Sequence, residues 1–527
     1  MSRYLTTVLA GLLMAITASA TANTHDSQFV MSSNGRQLTV DGKPYLVLGI
    51  QLHNSSGFPA ILHRLAPAIA RSGANTVMVP IGWESIEPRE GHFDFSVLDG
   101  LVKEARAQHV RLALLWFGTW KNATMSYVPA WVKRDTRRFP RVIDADGHPI
   151  DVLTPIAGAS RDADAHAFAA LMGHLKQIDG RQRTVIMVQV ENEAGTLGAD
   201  RDHSARANAL FDGQVPADMP DAKPGTWTQD YGVRAPEAFM AYYTARYIGA
   251  VAAAGKKVYD LPLYVNVWPR QQPGLLRPGQ SSPSGGAVSW LLPQWKALAP
   301  AIDVVGVDNY DTNVAPYTAI ADAYRIKGNP LFVPETGHSM AHARHAIWTV
   351  MRPDAVGISM FGITDDFASG KSDWKSSPMA VNYHLLRRAA SFLIPLRNAG
   401  KVRTAIEERG LANIPMHFDD VDLVARFGEV RDGYGGPRGQ GNADVSGRVI
   451  AAQVAPHRFL LLGTSANVKF APKLGTMGHV ELLTVEQGHV EHGRWITDRL
   501  LNGDETAFGL IFPHDGTQLM VTEQVIQ

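Results

Sequence analysis

The 527-residue chain carries 50 Lys+Arg against 50 Asp+Glu, a formal net charge of zero, with 45% hydrophobic and 19% charged residues. Such a chain has ample apolar surface to bury and folds, and its charge balance speaks against a nucleic-acid or anionic-membrane partner, which would require a basic face. The absence of cysteine removes disulfides, thiol nucleophiles, Cys-ligated zinc and iron–sulfur clusters together.

Arg3 precedes an apolar run from Tyr4 to Ile16 that is too short to cross a bilayer as a helix. The run ends in small residues, Ala18-Ser19-Ala20-Thr21-Ala22. This pattern predicts a signal peptide over residues 1–22 and an exported chain, periplasmic or secreted. With no cysteine at the cleavage site there is no attachment point for a lipid anchor. No later stretch reaches the roughly 18 continuous apolar residues of a transmembrane helix, so the mature chain is expected to be soluble, without membrane insertion.

Eight short apolar or β-branched runs follow, at residues 45–51, 76–80, 111–117, 184–190, 263–267, 303–307, 331–334 and 357–361. Each is continuous rather than alternating, as expected of parallel strands covered on both faces. Helical patterns at 60–72, 95–108, 162–178 and 235–254 separate several of them. The spacing predicts an α/β fold, a (β/α)8 barrel over residues 23–395. A doubly wound sheet is the rival, but no Gly-x-Gly-x-x-Gly follows the first run, so a dinucleotide site has no support. The longest interruption, residues 195–227, directly follows the fourth run and is expected to be a functional loop at the carboxyl-end face.

Beyond residue 395 the texture changes to short strand-like runs at 420–426, 449–454, 459–464, 480–485 and 507–512, separated by Gly, Asp and Pro turns. They predict a small all-β, sandwich-like accessory domain over 396–527. Its glycine-rich segment Gly433-Tyr434-Gly435-Gly436-Pro437 reads as a surface loop, since it opens no helix.

Two carboxylates stand out by position. Glu193, in Gln189-Val190-Glu191-Asn192-Glu193, lies just past the fourth run, and Glu335, in Val333-Pro334-Glu335-Thr336, just past the seventh. The carboxyl ends of barrel strands converge on one mouth, so the two can face one ligand. Taken alone, a glutamate at a strand end is an ordinary loop anchor. A pair is the minimum equipment for cleaving a glycosidic bond, one to protonate the leaving oxygen and one to attack.

Asn192-Glu193 with Glu335 resembles the retaining glycosidases of the large barrel clan. Gln189-Val190-Glu191-Asn192-Glu193, Trp83-Glu84-Ser85-Ile86-Glu87-Pro88 with Gly91-His92-Phe93-Asp94-Phe95, and Pro129-Ala130-Trp131 resemble, more narrowly, glycoside hydrolase family 35, the β-galactosidases. The resemblance spans about residues 35–370, and the all-β tail is similar to the short C-terminal domain of a bacterial branch. It implies that Glu193 is the general acid/base and Glu335 the nucleophile. It further implies that Asn192 binds the sugar 2-hydroxyl and that Tyr310 holds Glu335. Glu191 is the rival for the acid role and is assigned to support, paired with a basic side chain. Two motifs depart from the family: Gly118-Thr119-Trp120-Lys121 replaces Ala-Glu-Trp-Glu, and Leu52-His53-Asn54 replaces Ile-His-Tyr. These changes leave glucose open beside galactose.

Trp116, Trp120 and Trp268, near strand ends, are expected to offer flat faces to sugar C–H groups, with Lys121, Asn122 and Asn54 bonding hydroxyls. His53, His203 and His338 show no metal-ligand spacing, so neither a metal nor another cofactor is expected. The reading is therefore a retaining, exo-acting β-galactosidase acting on a terminal β-galactoside of plant cell-wall oligosaccharides, such as xyloglucan side chains. The alternatives are a β-glucosidase or endo-glycanase, and, from another class, a noncatalytic glycan-binding barrel. The oligomeric state is not set by the sequence; a homodimer is open.

Overall fold

The computed structural model describes residues 27–32, 35–269, 277–363, 377–428, 441–475 and 477–526. The expected signal peptide and the glycine-rich segment 433–437 lie outside the described residues. Eight parallel strands form the central sheet: β1 (Val47–Leu52), β2 (Thr76–Gly82), β3 (Arg111–Lys121), β4 (Val185–Asn192), β5 (Leu263–Val267), β6 (Val304–Val307), β7 (Phe332–Thr336) and β8 (Gly357–Ile363). Their spatial order is β6-β5-β4-β3-β2-β1-β8-β7. The ring closes between β6 and β7 through Asn309 N–H on the Glu335 carbonyl (3.0 Å) and Thr336 Oγ1 on the Asn309 carbonyl (2.7 Å). The strands are buried on both faces, which is why they read as unbroken apolar runs.

Strand parity sorts these side chains. Ala113, Leu115 and Phe117 of β3 point into the barrel with Met78, Tyr264 and Phe332. Leu112, Leu114 and Trp116 point outward onto the surrounding helices. The hairpin Gln28–Ser32/Gly35–Val40 caps the amino-terminal end, contributing Leu38 and Val40 to the interior cluster. Helices Pro59–Ser72, Ser96–Ala107, Gly158–Asp179 and Ala235–Val258 pack outside, where the 3.6-residue patterns lie.

Helix Pro378–Asn398 leads into the all-β region. There a six-stranded sheet (Val402–Ile406, Arg448–Ala455, Arg458–Thr464, Thr517–Ile526, His479–Glu491, Arg494–Leu501) faces a four-stranded one (Asn413–His417, Val421–Arg426, Ala466–Pro472, Leu510–Phe512). Period-two alternation divides the larger sheet. Val449, Ala451, Phe459 and Leu461 enter the sandwich core, whereas Ile450, Ala452, Leu460 and Leu462 join the barrel core. Arg448 ties the two regions, donating to Asn382 Oδ1 at 2.5 Å and to the Pro378 carbonyl at 3.1 Å. Among the described residues no helix is long and apolar enough to cross a membrane.

Candidate active site

Glu193, Asp308 and Glu335 converge at the carboxyl end of the barrel, each offering a carboxylate oxygen within 4.8 Å of the others. Glu335 terminates a strand whose every residue is buried. Its Oε2 accepts Gln51 Nε2 at 3.0 Å. Glu193 is held by its backbone: its N–H donates to Asn266 Oδ1 (3.0 Å) and its carbonyl accepts Ala123 N–H (3.1 Å). Glu191 and Glu193 lie at φ 65° and 44°, a left-handed backbone that costs non-glycine residues about 1–3 kcal/mol and gathers at functional sites.

Lys121, at the end of β3, is the cation of the cluster. Its Nζ donates to Asn122 Oδ1 (2.5 Å) and Asn192 Oδ1 (2.7 Å), and the side chain is buried. Its charge opposes the upward push that burial gives Glu335, as do Gln51 and the Tyr310 hydroxyl facing that carboxylate. Glu193 lacks comparable donors among the described residues. Burial and then the charge of Glu335 push it up to about 7, with Lys121 and Asp308 opposing. Asp308 is driven well above the carboxylate range by burial, then by the charges of Glu335 and Glu193. Burial thus pushes all three carboxyls up, opposed by Lys121, Gln51 and Tyr310 at Glu335, by Lys121 and Asp308 at Glu193, and by Lys121 at Asp308. Three convergent carboxylates are also a geometry that a divalent cation could occupy, as is the turn cluster Asp144, Asp146 and His148.

Asn192 is fully buried; its Oδ1 is taken by Lys121 while its Nδ2 meets no acceptor among the described residues. Asn122 is exposed at φ 52° beside Lys121. Tyr310 stands at the rim and Trp268 is half-buried just past β5. Asn54 lies in a small cleft of about 130 Å³ with Glu84 and Tyr127, its Oδ1 buried without a partner.

The expected roles of Trp116 and Trp120 are overturned. Trp116 is wholly buried on the outward parity of β3, against Phe168, with Nε1 on Asp164 Oδ1 at 2.9 Å. Trp120 is 1% exposed and packs edge-on to Tyr247. Neither can be a sugar platform. The expectation that Glu191 pairs with a base also fails. Its neighbour is instead Asp164, on helix Gly158–Asp179, carboxyl facing carboxyl. Burial, then the charge of Asp164, pushes Glu191 far up. Asp164 then accepts Trp116 Nε1, Thr119 N–H (3.2 Å) and Thr119 Oγ1 (2.8 Å), while Glu191 Oε2 takes Trp120 N–H at 2.7 Å. The pair clamps residues 116–120 from behind and delivers Lys121 to the mouth. Gly118 has no room for a side chain: a Cβ would lie 2.4 Å from Trp116 Nε1 and 2.7 Å from oxygens of Asp164 and Glu191.

Asp308, Gln51, Asn266 and Asp164 were absent from the sequence expectations. Asp308 carried the available signal, since it directly follows a barrel strand just as Glu193 does. The loop 195–227 holds a short helix, Ala205–Phe211, and is fastened through Asp202, whose carboxylate accepts Ile143 N–H (3.2 Å) and Thr154 Oγ1 (2.6 Å) from the hairpin Arg141–Ile143/Pro149–Leu153.

Residues 61–230 match the family model described as "Beta-galactosidase", glycoside hydrolase family 42, and residues 379–513 match a domain of unknown function, DUF5597. A beta-galactosidase of Xanthomonas manihotis is 31% identical over 220 residues, 39% of this chain and 34% of that protein. The chain thus matches about a third of the length of this curated relative. Among solved structures, the beta-galactosidase of the psychrophilic Marinomonas ef1 aligns with a TM-score of 0.45 and 12% identity, over 65% of this chain and 60% of that one. The cold-adapted beta-galactosidase of Rahnella sp. R3 aligns with 0.45 and 16%, over 73% and 59%. The catalytic domain of a Paenibacillus polymyxa beta-amylase aligns with 0.45 and 10%, over 60% and 92%. Residues 61–230, which include Glu193, are thus similar to a family of β-galactosidases. The matching model is that of family 42, not the family 35 that the motifs resemble.

Proposed function

We propose that the chain is a retaining, exo-acting β-galactosidase that releases terminal β-galactose from plant cell-wall oligosaccharides such as xyloglucan side chains. The observation that carries the mechanism is the spacing of Glu193 and Glu335, whose oxygens lie within 4.8 Å. Retaining enzymes hold their two carboxyl groups about 5–5.5 Å apart, whereas inverting ones leave about 6.5–9.5 Å for a water.

Glu335, whose anionic form Gln51, Tyr310 and the charge of Lys121 favour against burial, attacks the anomeric carbon. Glu193 gives its proton to the departing glycosidic oxygen as that bond breaks. Water then enters: Glu193 takes its proton, the hydroxide adds to the anomeric carbon, and Glu335 leaves as carboxylate. Asn192 Nδ2, without an acceptor among the described residues, donates to the sugar 2-hydroxyl. No cofactor enters these steps. Exo action is supported by the fastened loop 195–227 that begins at the acid/base. Export is supported by the apolar leader, and membership of family 35 by the Glu-Asn-Glu and Glu-Pro-x-x-Gly-x-Phe-Asp-Phe motifs.

A β-glucosidase is the second reading, favoured by Thr119. It stands where the family places a galactose-binding glutamate, and its hydroxyl is committed to Asp164 and to Tyr247 (2.6 Å) behind the barrel wall. Hydrolysis of matched p-nitrophenyl β-galactoside and β-glucoside by the wild type and E335Q tests both. Release from the galactoside that vanishes in E335Q supports the proposal, preference for the glucoside shifts the sugar, and release undiminished in E335Q contradicts it.

A further inference from the structure

Asp308 is fully buried beside the two carboxylates that the proposed reaction uses. Its Oδ2 accepts Asn266 Nδ2 at 2.7 Å, while Asn266 Oδ1 accepts the backbone N–H of Glu193 at 3.0 Å. Asn266 is thereby fixed in one orientation, since a flipped amide would lose both bonds. Among the described residues Asp308 Oδ1 receives no hydrogen bond from any N–H or O–H, yet the carboxyl faces Glu193.

The titratable groups around it are Lys121 on β3, Glu193 after β4, Tyr264 on β5, Tyr310 after β6, Tyr324 on helix Val314–Tyr324 and Glu335 on β7. Lys121 alone among them is a cation, and its influence falls on Glu335 and Glu193 as well. A buried carboxyl oxygen that accepts no hydrogen bond is costly as an anion and is satisfied by carrying a proton.

We propose that Asp308 is a positioning residue that keeps its own proton on Oδ1 throughout the cycle and donates it in a hydrogen bond to Glu193. The inference rests on the reading of Glu193 as acid/base. When Glu193 has given its proton to the leaving oxygen, it becomes an anion beside the glycosylated Glu335. The Asp308 O–H then stabilises that anion by a charge-assisted bond. When water arrives, its proton goes to Glu193, its hydroxide to the sugar, and Glu335 is released. The proton of Asp308 never leaves, and Asn266 holds the donor and the backbone of its acceptor in one frame.

The test compares D308N, which keeps a neutral donor, with D308A, which removes it, in the full-length protein. In pH profiles of kcat/KM on an aryl β-galactoside, the basic limb stays in place for D308N. It moves up by roughly one pH unit for D308A, because loss of a donor to the charged form raises the pKa of Glu193. Below that limb kcat of D308A falls roughly tenfold, a unit of pKa being tenfold in the population of the base, and D308N restores most of it. Infrared difference spectra of wild type minus D308N at pH 7 show a protonated-carboxyl band, which shifts in E193Q.

A basic limb that moves down in D308N, or no such band, would mean that Asp308 is ionised and would overturn the proposal. A rise in KM common to both variants with unmoved profiles would make Asp308 a sugar ligand and also overturn it. Should D308A fail to fold, D308N and the band decide. Should no glycoside be turned over, the catalytic reading of Glu193 falls, while the band and its shift still report on the proton and its acceptor.

Discussion

Glu191 and Glu193 stand two residues apart at the end of one strand and meet opposite fates. Glu191 passes behind the barrel wall, where the Asp164 carboxyl faces it and the amide of Trp120 caps it. Glu193 reaches the mouth, where Glu335 and Asp308 face it and Lys121 moderates its charge. Both lie at positive φ, and both are pushed up first by burial. The difference is in what surrounds them. A carboxyl sealed among donors with one carboxyl partner is a structural clamp, whereas one at the open end of the barrel, opposite an anion, can exchange its proton with a substrate. Chemistry follows access and neighbours, not residue type.

The largest effects should come from the mouth. E335Q is expected to lose turnover of aryl glycosides by about four orders of magnitude or more while thermal unfolding stays near wild type. E193A is expected to lose about 10²–10⁴-fold on substrates with poor leaving groups and much less on activated ones, with azide restoring part of the latter. E191A should show no azide rescue. Rescue of E191A instead of E193A would invert the comparison.

On the clamp side the effects should appear as stability. Gly118→Ala drives a methyl into Trp116 Nε1, Asp164 and Glu191. Melting should report a loss of about 1–3 kcal/mol, with kcat lowered because Lys121 is displaced. Trp116→Phe removes the donor to Asp164; it should cost about 1–3 kcal/mol and leave KM unchanged, whereas a sugar platform would raise KM.

The pH dependences sharpen the same contrast. Glu193, pushed up to about 7, must be protonated to donate, so kcat/KM should fall as pH rises through about 7. Glu191 is raised far above its ordinary value, so the folded chain binds more protons than the unfolded one. Its contribution to stability is complete below the ordinary glutamate range and declines as pH rises beyond it. E191Q should flatten the dependence of unfolding free energy on pH, the smallest of the effects; an unchanged slope would place the raised carboxyl elsewhere.

Much of the barrel was legible because its strands are covered on both faces. Residues 263–267 read as a strand to the residue, and Thr76, Arg111 and Gly357 start strands where expected. In the all-β region Arg494–Leu501 went unread because its side chains are largely exposed and polar, and Thr517–Ile526 because Gln518, Thr522 and Glu523 interrupt it. Of the site, Glu193 and Glu335 were visible from strand-end position, and the structure brings them together. Asp308 became visible only when β4, β6 and β7 met at one mouth, a relation no local pattern carries. Trp116 was misjudged because its side of β3 follows from parity within a paired strand, not from nearness to a strand end. Asp164 sits mid-helix, where an acidic residue ordinarily reads as solvated.

The central claim is a covalent intermediate on Glu335. Inactivation with 2-deoxy-2-fluoro-β-galactosyl fluoride followed by peptide mass spectrometry measures it directly. A single fluorogalactosyl adduct on Glu335, absent in E335Q, is the predicted result. An adduct on Glu193 or Asp308, or turnover of aryl β-galactosides with no adduct at any carboxylate, would contradict the account.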